Sequence, residues 1–83
     1  MRAIQIKNGG LFVEWGISTY RYTARSGWTL SPVLYSTLEW DLSSESPDSY
    51  EYLTEGDVRA LDSFPALLAL HTETAKKLGL PID

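Results

Sequence analysis

Glu39 and Asp41, two residues apart, are the first candidates for acid–base chemistry. On an extended strand that spacing puts both carboxylates on one face, and catalysis would need a pocket to displace one of their pKa values. A strand end open to water offers no such pocket, so the pair reads as part of a solvated sheet face. The single histidine, His71, is the second candidate. A general base needs a nucleophile and an orienting partner, and Ser63 and Thr74 do not stand at a spacing that supplies them. His71 falls on the apolar stripe of a predicted helix and reads as a packed residue. Asn8-Gly9-Gly10 lacks the spacing and the subsequent helix of a phosphate loop, and Asp41, Glu45 and Asp48 lack the order and central glycine of a calcium loop. With no cysteine and one histidine, a single chain cannot build a zinc site. No catalytic, cofactor or metal site is predicted, and the chain reads as a binding protein, not an enzyme.

Two constellations suit binding. Tyr20, Arg21, Tyr22, Arg25 and Trp28 place aromatics beside bases, the means by which single-stranded nucleic acid is stacked and held. The second is acidic. Residues 1–25 carry four bases and one acid, whereas residues 26–58 carry seven acids and no base, within a net charge of −4. Among them Glu39, Asp41, Glu45, Asp48 and Glu51 are the predicted partner contacts, with Tyr50 and Tyr52 as anchors. Such a surface offers lysines and arginines the Coulomb partners that a phosphate backbone offers them. The expected partner is a basic, nucleic-acid-handling protein that this chain would inhibit or mask, in preference to nucleic acid itself. A run of acids also keeps a small protein soluble, which is the competing explanation of the same residues. A structural or interaction module, such as a homodimer formed through a sheet edge, is the alternative from another class.

In size, acidity and lack of cysteine the chain resembles the small phage-encoded inhibitors of bacterial defence systems, including anti-CRISPR proteins and other DNA mimics. The resemblance lies in composition and transfers no residue.

The elements that must position these residues can be read in order. Eighty-three residues suffice for one domain, 1–83. No charged stretch leading into an apolar run opens the chain, and no apolar run approaches a membrane span, so a soluble cytoplasmic protein is expected. Ile4 and Ile6 mark a first strand, and Asn8-Gly9-Gly10 a turn. Leu11, Val13, Trp15 and Ile17 mark a second strand with odd positions inward. The apolar parity then shifts to Tyr20 and Tyr22, which requires a bulge or turn near 16–19. A third strand would run from about Tyr20 to Arg25 and stop at Ser26-Gly27.

Residues 28–42 alternate apolar and polar over a long stretch, which predicts a strand from about Val33 to Leu42, with Trp28 to Ser31 leading in. Ser31-Pro32 also suits a helix start, with Leu30, Leu34 and Leu38 as its stripe, and this is the rival reading. Residues 43–49 have loop composition, and Tyr50 to Tyr52 suits a short strand or an extended entry to the helical region. Thr54 caps a short helix to about Asp62. Pro65 opens a longer helix to Leu78, stopped by Gly79-Leu80-Pro81. The fold class is therefore α+β: an antiparallel sheet of about four strands with the C-terminal helix on one face. The predicted core joins Ile4, Ile6, Val13, Trp15, Leu34, Leu38 and Trp40 to Leu67, Leu68 and Leu78.

Overall fold

Three tight connections shape the sheet. In the computed structural model, which describes residues 1–7 and 9–80, strand β1 (Arg2–Ile6) turns back into β2 (Leu11–Trp15), with the Ile6 N–H donating to the Gly10 carbonyl at 3.1 Å. Asn8 and Pro81 lie outside the described residues. Gly16, at φ +66°, takes the left-handed backbone that a two-residue hairpin turn requires and leads into β3 (Ser18–Thr23). Ile17 therefore sits on the turn and is 74% exposed, where continuation of the strand had predicted it inward. A third turn leads to β4 (Gly27–Leu30), and these four strands form an antiparallel meander.

The sheet has a fifth strand, β5 (Tyr50–Leu53), which pairs antiparallel with β1 to give the order β4-β3-β2-β1-β5. Ser49 extends this edge by accepting from the Lys7 N–H at 3.0 Å. The chain must therefore pass from one edge of the sheet to the other, a distance of about 19 Å at ~4.8 Å per strand. The element that makes this passage is a helix, α1 (Tyr35–Ser43), so the predicted strand over Val33–Leu42 is corrected. Both edge positions are taken by β4 and β5, and the sheet face between them presents Ile4 and Ile6 for cover. Tyr35, Leu38 and Leu42, three and four residues apart, supply that cover and pack on Ile4, Ile6 and Tyr50. The Ser31 hydroxyl caps nothing in α1 and accepts instead from the Val33 N–H at 3.1 Å. The helix begins later than the rival reading had it, with Leu34 as N-cap.

Helix α2 (Glu55–Arg59) starts at the predicted Thr54 cap but ends at Arg59, short of the expected Asp62. The Thr54 hydroxyl accepts from the Asp57 N–H at 3.1 Å and the Asp57 carboxylate from the Thr54 N–H at 3.0 Å, a reciprocal capping box. Helix α3 (Phe64–Leu78) has Pro65 in its first turn, where a missing N–H costs nothing. It ends at Gly79, φ +67°, with the Leu80 N–H reaching the Ala75 carbonyl at 2.8 Å.

Register places Ala3, Val13, Tyr20 and Leu30 in one row across the sheet. On that face Ala3, Leu11, Val13, Trp15 and Tyr20 pack with Val58 and Leu67 as the main core. Trp15 lies flat against His71, centroids 4.0 Å apart at 9°, and the Tyr20 hydroxyl shares a 2.8 Å hydrogen bond with His71 Nδ1. Of the predicted core, Val13, Trp15 and Leu67 come together as expected, whereas Ile4 is buried and Ile6 half-buried on the opposite face, beneath α1 with half-buried Leu38. The prediction is corrected at Leu34, Trp40, Leu68 and Leu78, all exposed. The first two follow from α1 being helical, and the last two from α3 turning Leu67, His71, Thr74 and Ala75 inward. Among the described residues no helix is long and apolar enough to cross a membrane.

Candidate protein-binding surface around the first helix

The predicted contact residues fall on α1, the 44–49 connection and β5, and the helix redistributes them. At about 100° per residue, Glu39 and Asp41 stand ~200° apart around α1, not side by side on a strand. Glu39 is partly covered and faces Arg2, whose Nη1 lies 4.0 Å from its Oε1. Arg2 is a hub: its Nε donates to Glu14 at 2.8 Å, and its guanidinium carbon sits 4.4 Å from the centroid of the Tyr35 ring. Glu39 thus shares with Glu14 a base brought from the first strand, which the sequence distance between them conceals.

The phenols here respond to the same charges. Tyr35, 1% exposed, is pushed up to about 12, by burial first and by the Glu39 carboxylate second, with Arg2 opposing. Tyr52 is also raised, by desolvation and then by Glu39. Its ring meets that of half-buried Tyr50 edge-on, centroids 5.4 Å apart, and is itself 54% exposed. Glu51, between them on β5, projects to the opposite face by strand alternation and pairs in register with Gln5.

Asp41, Glu45 and Asp48 follow one another along the last turn of α1 and the connection after it. All three are exposed, and among the described residues none makes an ion pair or a side-chain hydrogen bond. The backbone there is satisfied by serines: Ser43 Oγ donates to the Trp40 carbonyl at 2.9 Å, Ser44 Oγ to Asp41 at 2.7 Å, and Ser49 Oγ to Ser46 at 2.6 Å. No base lies in the last turn of α1, so the negative end of its dipole adds to the three carboxylates. The remaining acids of residues 26–58 are differently used. Glu55 pairs with Arg59 at 3.0 Å and with the N-terminal ammonium at 3.6 Å, and Asp57 closes the capping box.

Trp40, an aromatic interleaved with these acids in sequence, was assigned to the core and not to the predicted contacts. It is 71% exposed on the outer side of α1, one residue before Asp41. A helical reading anchored on Tyr35, Leu38 and Leu42 would have put it outside.

The aromatic-basic constellation is divided by the fold. Tyr20 is fully buried, and Tyr22 and Trp28 pack on each other with centroids 5.3 Å apart. Arg21 lies on the other face, 5.6 Å above the Phe12 ring, and Arg25 is in a turn. These five side chains form no common stacking surface.

No protein-family model matches the chain, and no curated protein or solved structure matched it in comparison.

Proposed function

We propose that this is a non-enzymatic binding protein that masks a basic surface of a protein partner that handles nucleic acid, using the C-terminal end of α1 and the 44–49 connection. One observation carries the reading: Trp40, 71% exposed, immediately precedes Asp41 on α1, and Asp41, Glu45 and Asp48 are exposed and form no ion pair among the described residues. Exposed carboxylates alone would serve solubility. A large exposed indole serves solubility poorly and supplies the apolar anchor that interface centres favour. Tyr52 and Glu39 flank the surface, and Glu51 on the other face belongs to it least. The charge is what lysines and arginines meet on a phosphate backbone, so duplex DNA and this surface would compete for one groove.

The test is affinity capture from a bacterial lysate, with subsequent elution by duplex DNA. The expected result is a basic protein retained at low salt, released by duplex DNA, and not retained by the D41K/E45K/D48K variant. Retention unchanged in that variant would sink the reading.

A further inference from the structure

The two edges of the sheet differ in charge, and the β4 edge is the one open to a second copy of this chain. Gly27, Trp28, Thr29 and Leu30 carry no charge. The Ser31 N–H donates to the Thr19 carbonyl at 2.8 Å, so by the alternation of an antiparallel ladder Thr29 also bonds inward, and the backbone groups of Trp28 and Leu30 face outward. Beside this edge an open, mainly apolar groove of about 290 Å³ runs between β4 and the last turns of α3, lined by Leu30, Leu70, Glu73, Thr74, Lys77 and Leu78. Leu30 and Leu78 are 54% and 55% exposed. The β5 edge, by contrast, comes just after Asp48 and carries Glu51, and two such edges would repel.

We infer that the β4 edge and its groove form a homodimer interface, two copies of β4 pairing antiparallel about Thr29. In that register Leu30 of each copy lies opposite Trp28 of the other, and the outward groups of both residues are satisfied. The two-fold axis stands normal to the sheet and reverses every in-plane direction, so the two α3 helices run opposite ways above the joined edge. Glu73 and Lys77, which pair within one helix at 3.5 Å, then also face Lys77 and Glu73 of the second copy. The groove carries one acid and one base, and a second copy presents the same two charges to it in reverse order. Pro32 ends the ladder two residues after Leu30, which keeps the contact small and the association weak.

Sedimentation equilibrium on the full chain tests this. The expected mass rises from 9.3 kDa toward twice that value between about 10 μM and 1 mM protein, a range suited to weak association. L30K/L78K raises the dissociation constant by ~100-fold or more, as expected when central apolar anchors become charged. Glu73 is on the exposed side of α3, so E73K keeps the fold, and it weakens association where E73K/K77E restores it. D41K/E45K/D48K leaves the mass curve unchanged, which separates this inference from the partner surface on α1. A mass of 9.3 kDa up to ~1 mM overturns the inference, as does a dimer indifferent to L30K/L78K or to E73K. So does a chain that stays monomeric while a different protein protects Leu30 and Leu78.

Discussion

The two helices that cover the sheet are held in place by different means. Helix α3 carries its own instructions: Pro65 in the first turn, Lys76 and Lys77 in the last, and a left-handed glycine after it. It seals a deep core in which Phe64 and His71 both stack on Trp15. Helix α1 has no side-chain cap, no acid in its first turn and no base in its last. It is held by Tyr35 and Leu42 beneath it and by Arg2 at its flank. An element with weak signals of its own is free to spend its outer face on Trp40 and Asp41, and the sequence shows correspondingly little of it.

The largest test of this contrast is Leu67→Ala, at a fully buried site beneath α3. It should cost about 3–5 kcal/mol in denaturant unfolding, because the surrounding aromatic stack cannot collapse into the cavity. Leu42→Ala, at the rim under α1, should cost about 2 kcal/mol, the low end for such truncations. Its amide exchange should accelerate in α1 more than in the strands. Equal losses at the two sites, with uniform exchange, would break the contrast.

A smaller effect separates a capped helix from an uncapped one. Thr54→Ala removes half of the α2 capping box and should cost about 1 kcal/mol, whereas Leu34→Ala, at the N-cap of α1, should be close to neutral by thermal unfolding. The Tyr35 phenol sharpens the picture through pH. Its folded pKa of about 12 exceeds the ~10 of an unfolded tyrosine. The folded chain keeps a proton that the unfolded chain loses between those values, so stability is whole below pH ~10 and falls as pH rises toward 12. Tyr35→Phe should flatten that fall, and an unchanged slope would place the phenol in water. The smallest stability effect belongs to Trp40→Ser, expected within about 0.5 kcal/mol of wild type in denaturant, though the same change should abolish partner capture.

Legibility in the sequence divides along the same line. The first three strands, α2 and α3 were visible because glycines, caps and apolar periodicity agreed at each. The sequence from Trp28 to Leu42 misled because Leu34, Leu38, Trp40 and Leu42 alternate like a strand, while the residues that decided the matter lie elsewhere. Tyr35 was counted on the polar side of that alternation and is instead the centre of the α1 contact. The candidate site was legible as a list of carboxylates and illegible as a surface. Arg2 reaches Glu39 across thirty-seven positions of sequence, β5 turns Glu51 away, and Asp41, Glu45 and Asp48 are left exposed on the end of α1 and the connection after it.

Backbone N–H groups and the serine hydroxyls of residues 43–49 close the local hydrogen bonds without help from any carboxylate. The fold of this segment and the charge it displays therefore rest on different atoms. Acids at 41, 45 and 48 can be gained, lost or moved by single mutations without disturbing the turn that bears them. The charge of the segment is thus adjustable independently of its backbone geometry.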